Sequence, residues 1–129
     1  MAAKAMETHV NLSTLDPTFE AEGAVIREIE WGDMHVDIES FDTEFDTTPL
    51  MKGLPDDRCQ CPHWGYVLEG RMTVNYADHE ERVEAGEAYH LAPGHRVSMA
   101  AGTELVEFSP KDEFEKTMEV VAKNVEATA

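Results

Sequence analysis

The sequence predicts an all-β domain, an antiparallel barrel or sandwich finished by one C-terminal α-helix. Short stretches of alternating polarity recur along the chain, and glycine and proline interrupt them at near-regular intervals. Beyond residue 110 the apolar residues switch to a helical spacing. A chain of 129 residues has room for one hydrophobic core and no second domain. The expected division is an N-terminal segment over 1–23, the β-domain over 24–109 and the helix over 110–126.

Residues 1 to 23 are polar and weakly patterned, with a short strand expected from Thr8 to Leu12. Ala24 to Trp31 reads as a strand, and Gly32-Asp33 as a turn. Met34 to Phe41 sets Met34, Val36 and Ile38 against His35, Asp37 and Glu39, a period of two. Residues 46 to 57 hold Thr, Pro, Gly and paired Asp, which suits a loop with one helical turn starting at Pro49. Cys59 to Glu69 is expected to be extended until Gly70 breaks it. Met72 to Tyr76 and Arg82 to Ala85 form a hairpin with Asp78-His79 at its tip. Glu87 to Leu91, Arg96 to Ala100 and Glu104 to Phe108 complete the strands. Ser109 then suits an N-cap and Pro110 a first helical position. Phe114, Met118, Val121 and Val125 make one apolar stripe, expected to pack outside the barrel or on a second subunit.

Carboxylates outnumber Lys and Arg by 27 to 10, a net charge of −17. Such a surface repels phosphate backbones and anionic lipid, which excludes nucleic-acid and membrane-surface binding as expectations. Residues 1 to 9 lack the apolar stretch of a signal peptide, and no apolar run reaches the length of a membrane span. The expected compartment is the cytoplasm, where thiols stay reduced. The two cysteines, Cys59 and Cys61, are too close along an extended chain for a good disulfide, so they are free thiols or thiolate ligands.

Two stretches resemble the cupin family. His63-Trp64-Gly65-Tyr66-Val67-Leu68-Glu69-Gly70 is similar to the end of its first motif, and Gly86-Glu87-Ala88-Tyr89-His90-Leu91-Ala92-Pro93-Gly94-His95 to its second. The resemblance spans about residues 50 to 108. It implies a jelly-roll barrel with a ligand pocket inside, commonly a homodimer. The ligand pattern departs from the family's. The family's two first-motif histidine positions fall on Asp57 and Cys59, and its glutamate position on His63. The second-motif histidine position falls on Val97, with His95 two residues earlier. The resemblance therefore carries over the pocket's location and not its chemistry.

Read from the residues alone, Cys59, Cys61 and His63 share one face of a strand, and His95 joins them if its strand also lines the interior. Two thiols and two imidazoles suit a divalent metal, zinc first by softness, with iron, nickel or copper as other ions. On a straight strand Cys59 and His63 stand about 13 Å apart at ~3.3 Å per residue, so one ion needs a bend, which Pro62 can supply. Singly, each residue is equally at home as a buried structural group. Trp64, Tyr76 and Tyr89 are candidates to line a substrate pocket, against a core or interface role. Arg71 and Arg96 are expected to pair with surface acids, His79 and His90 to face solvent, and Glu107 to be solvated rather than an acid–base group. The expected function is metal-dependent isomerase, lyase or dioxygenase chemistry on a small molecule in the barrel. The alternatives are a non-catalytic small-molecule- or metal-binding module and a structural zinc site with four protein ligands.

Overall fold

The computed structural model describes residues 3–4 and 8–128. Residues 1–2 and 5–7 of the expected N-terminal segment lie outside the described residues. Among the described residues eleven strands and one α-helix follow in chain order, with short 3-10 turns between them. The strands are β1 (Ala3–Lys4), β2 (Phe19–Ala21), β3 (Ala24–Trp31), β4 (Met34–Phe41), β5 (Phe45–Asp46) and β6 (His63–Glu69). They continue with β7 (Arg71–Asn75), β8 (Glu80–Glu84), β9 (Ala88–Leu91), β10 (Arg96–Met99) and β11 (Thr103–Pro110), and α1 spans Lys111–Thr128. The strand expected over Thr8 to Leu12 is absent; Asn11 instead caps a 3-10 turn at Leu12–Thr14 by accepting from the Ser13 amide.

One sheet runs β1-β3-β4-β11-β6-β9, with β2 also on β3, and the other runs β5-β10-β7-β8. All pairs are antiparallel except β1 with β3. Phe41, Val67, Leu91 and Leu105 of the large sheet form one buried cluster with Met72, Val74 and Met99 of the small one, so the two sheets face each other across that core. Burial of such side chains is the main favourable term, about 1.5–3 kcal/mol each.

At one end the core gives way to a cavity roofed by α1. The helical stripe turns inward: Phe114, Met118, Val121 and Val125 line the cavity, and Val121 packs with Met51, Cys59 and Cys61. Of the two packings expected for the stripe, the helix lies on the barrel, at its end. The barrel mouth is apolar there, and the helix covers it. Nor does Ser109 cap the helix. β11 stays paired with β4 as far as Pro110 opposite Met34, so the helix starts one residue later than Pro110. Among the described residues no helix is long and apolar enough to cross a membrane.

β4 has the expected period of two. Phe41 sits in the core, however, and therefore sends Glu39 and Asp37 to the cavity side with it. Val36 is buried on the other face, between its register partners Ile29 and Phe108.

Candidate metal centre and its cavity

The chain reaches the site along two lines. Cys59 stands outside the strands and forms an isolated antiparallel bridge with His95, its amide donating to the His95 carbonyl at 2.9 Å. The Gly94 amide donates to the Cys59 carbonyl at 2.8 Å. After Cys59 the chain leaves the ladder, and regular pairing resumes only at His63, beyond Pro62. The expected bend is present. It brings Cys59 Sγ to 3.6 Å from His63 Nε2, where a straight strand would keep the two residues far apart.

Cys59, His63 and His95 each offer one ligand atom, all within 4.8 Å of one another, and all three residues are buried. The imidazole rings of His63 and His95 meet edge to face with centroids 5.1 Å apart. His95 Nδ1 lies 2.7 Å from the Ala92 carbonyl oxygen, which can only accept, so Nδ1 carries the proton and Nε2 keeps its lone pair. His63 Nδ1 lies 2.7 Å from the Ser109 hydroxyl and 3.5 Å from Glu107 Oε2, outer partners of the kind that orient a ligating histidine. Burial holds both imidazoles down to about 4, so they are neutral at pH 7. Burial pushes the Cys59 thiol up to about 11.

These donors fit a soft divalent ion. Bonds of about 2.3 Å to sulfur and ~2.0 Å to nitrogen at a tetrahedral angle imply a sulfur–nitrogen separation of roughly 3.5 Å, close to the Cys59–His63 distance. Cys61 is not part of the group. Its position two residues from Cys59 no longer implies a shared face once the strand is broken. Its side chain is buried in the apolar cluster under α1, and burial pushes its thiol up to about 12.

The aromatic candidates fall elsewhere. Trp64 is 44% exposed on the outer face of β6, stacked on the exposed His90, and does not line the cavity. Its parity is opposite to that of His63, which explains the placement. Tyr76 accepts from the Ala92 amide and stacks on His79, so it braces the turn that holds His95 instead of lining the cavity. Tyr89 is buried in the core and does not line the cavity, with its hydroxyl donating to Glu107 Oε1 at 2.8 Å.

Glu107 is buried, not solvated. It belongs to a row across the large sheet in which Glu28, Asp37, Glu107, Gly65 and Tyr89 are successive register partners. Gly65 has a specific reason to be glycine: a Cβ there would meet Tyr89 Cζ and Oη at 2.5 Å and the Val106 carbonyl at 2.4 Å. The bare backbone lets the tyrosine ring cross β6 to reach Glu107. Glu39 adds a further carboxylate, and Asp37, Glu39 and Glu107 offer oxygens within 4.8 Å of one another. Burial, reinforced by the neighbouring acids, raises Asp37 and Glu39 well above the usual carboxylate range, and burial raises Glu107. Glu28 is opposed by burial but held low by His35 and Thr18. His35 Nε2 lies 2.8 Å from Glu28 Oε2, and its ring stacks on Phe114 at 3.7 Å.

The cavity measures about 200 Å³, and its walls are apolar apart from the metal-ligand group, the acids and the threonines Thr47 and Thr117. Among the described residues no lysine or arginine lines it.

This is the fold of the RmlC-like cupins. It is similar to that of an RmlC-like cupin from Shewanella frigidimarina NCIMB 400, with 16% identity, a TM-score of 0.57, and coverage of 81% of this chain and 91% of that one. KdgF from Halomonas sp. is similar at 15% identity and a TM-score of 0.54, over 81% of this chain and 94% of its own. The polyketide cyclase RemF from Streptomyces resistomycificus is similar at 18% identity and a TM-score of 0.59, over 82% and 80%. No family sequence model matches the chain, and no curated protein matches it in sequence.

Proposed function

We propose that the protein is a metal-dependent enzyme acting on a small organic molecule inside the barrel, with one divalent ion held by Cys59, His63 and His95. The observation that carries this reading is the convergence of those three donors at the cavity wall while Cys61 turns away. Three protein ligands with a position left for substrate is the catalytic pattern, whereas a structural zinc site closes with four. Softness favours zinc, ahead of iron, nickel or copper.

When bound, the ion supplies Lewis-acid polarisation of a substrate carbonyl or enolate oxygen. The chain supplies the rest. Ser109 fixes the His63 ring, and the Ala92 carbonyl fixes the tautomer of His95. Glu107, raised by burial and bonded to the Tyr89 hydroxyl, is the group that gives or takes the proton. Phe114, Met118 and Val121 on α1 keep bulk water off. The polyketide cyclase among the similar folds suits this reading, since such a barrel there houses chemistry on an organic molecule. Two buried free thiols suit a reducing, cytoplasmic setting. Pairing as a homodimer completes the reading, with gel filtration as its check.

Elemental analysis of purified protein tests the proposal. About one zinc per chain is expected in the wild type, and near none after Cys59→Ala or His63→Ala. Because both imidazoles are neutral at pH 7, only the thiol must ionise, and loading should release about one proton per ion. Calorimetry in buffers of different ionisation enthalpy measures that number. Equal zinc content in wild type and both variants would rule the centre out.

A further inference from the structure

The helical roof carries a polar side chain on its inward face. Phe114, Met118, Val121 and Val125 of α1 line the cavity, and Thr117 stands among them, one turn after Phe114 and one turn before Val121. It is buried and lines the same cavity as Cys59. Neither helix propensity nor packing calls for it there. Threonine is a weaker helix former than most residues, and valine supplies the same shape without a hydroxyl to bury. A buried helical threonine commonly donates its hydroxyl to a carbonyl one turn back. Among the described residues Thr117 makes no such bond, and its hydroxyl hydrogen-bonds to the Cys59 side chain instead. The Cys59 thiol directs its own proton at the Cys61 carbonyl, 3.8 Å away, which leaves the sulfur lone pairs open to that hydroxyl.

We propose that Thr117 is a positioning residue for the metal centre, its hydroxyl donating to Cys59 Sγ and tying α1 to the ion, so that loading tightens the roof over the cavity. The inference rests on the reading of Cys59, His63 and His95 as ligands and adds to it a link between the centre and the helix.

The state of the sulfur gives the link its direction. A ligating cysteine is a thiolate, and a hydrogen bond to a charged acceptor is about twice as strong as one to a neutral group. The bond from Thr117 therefore strengthens when an ion is bound, and by linkage helix and ion favour each other by the same factor. The turns on either side hold the hydroxyl in place: Phe114 stacks on His35 at 3.7 Å, and Val121 packs with Met51, Cys59 and Cys61. Removing an outer partner of a metal ligand typically costs about ten- to a hundredfold in affinity, and a single hydroxyl belongs at the lower end.

The probe is cobalt(II), which accepts the sulfur and nitrogen donors of a zinc site and absorbs light by charge transfer from sulfur. It is titrated into metal-free wild type, Thr117→Val, which keeps the shape, and Thr117→Ser, which keeps the hydroxyl. Thr117→Val should bind cobalt about tenfold more weakly. Its charge-transfer band should move to longer wavelength, because a sulfur without its donor gives up charge more readily. Thr117→Ser should bring both back close to the wild type. Hydrogen exchange of the α1 amides should slow about tenfold when the wild type is loaded, and by less in Thr117→Val. Circular dichroism establishes that each variant is folded; if Thr117→Val is not, exchange of the wild type with and without cobalt decides alone. Unchanged affinity and band in folded Thr117→Val, a Thr117→Ser as impaired as Thr117→Val, or α1 exchange that loading leaves unaltered overturns the inference. The two readings fail separately. Wild type that takes up no cobalt defeats the metal centre and the link with it, whereas cobalt uptake indifferent to Thr117→Val defeats the link and leaves the centre standing.

Discussion

Two cysteines two residues apart have different fates here, because the chain breaks out of its ladder between them. Cys59 faces the imidazoles and Cys61 faces the underside of α1. Cys61→Ala should therefore keep full zinc content while lowering stability by about 1 kcal/mol through lost packing, seen as a lower melting temperature. Loss of zinc in Cys61→Ala would show that the second thiol ligates after all. Gly65 offers a sharper test of the same kind. Gly65→Ala forces a methyl into the Tyr89 ring and the Val106 carbonyl, and since one contact is backbone it cannot simply swing aside. A destabilisation of about 3 kcal/mol is expected, and an unchanged melting curve would mean that the ring does not cross at this point. Tyr89→Phe keeps the ring but strips buried Glu107 of its donor, so a smaller loss of about 1–3 kcal/mol is expected.

Among the elements, α1 links the fold to the site. Phe114 stacks on His35 and also lines the cavity, so Phe114→Ala should enlarge the space and cost about 2 kcal/mol, measured by chemical denaturation. The strands themselves were largely legible. Period-two runs set off by Gly32, Gly70, Gly86 and Gly102 mark β3, β4, β7, β9 and β10 to within a residue or two, because turn chemistry and alternation are local signals. Which side of β4 faces the cavity was not legible from hydropathy. Met34, Val36 and Ile38 look like the inner set, yet Phe41 decides the parity, and its partner across the barrel is set by tertiary packing. Asp37, Glu39 and His35 were missed for that reason. Glu107 was misjudged as solvated because an acid on a strand usually is. The signal for both lay in the register. Once β3, β4, β11 and β6 are paired, Glu28, Asp37, Glu107 and Gly65 fall on one line, and three acids ending at a glycine are hard to explain as surface.

At the scale of the whole molecule, the interior acids set an unusual dependence on pH. A carboxyl raised in the folded state holds its proton more tightly than in the unfolded chain. Its favourable contribution is present below the unfolded value of about 4 and is lost as pH rises through the folded one. The buried imidazoles act in the opposite sense. Held down to about 4, they stabilise above the unfolded value of 6.5 and lose that contribution as pH falls from 6.5 to 4. The two effects oppose each other in mildly acid solution. At higher pH only the acids remain, joined above pH 9 by the thiols of Cys59 and Cys61. Asp37→Asn removes one of the acids, so in metal-free protein its stabilising effect relative to wild type should grow from pH 5 to pH 8. Melting curves of both proteins across that range check the trend, and a difference that shrinks with pH would contradict it.

The backbone bridge between residues 59 and 95 has a consequence for how the centre tolerates change. Two of the three donors hang from main-chain atoms locked to each other by hydrogen bonds in both directions, at 2.9 and 3.3 Å. Side-chain length at either position is therefore a fixed span that the scaffold cannot readjust. Swapping the thiol for a third imidazole, a change that looks chemically mild, would overreach that span and push the ring into the helix above. A site so pinned would meet an ion with little disorder to lose, and the same rigidity narrows the range of side chains that can serve at these two positions.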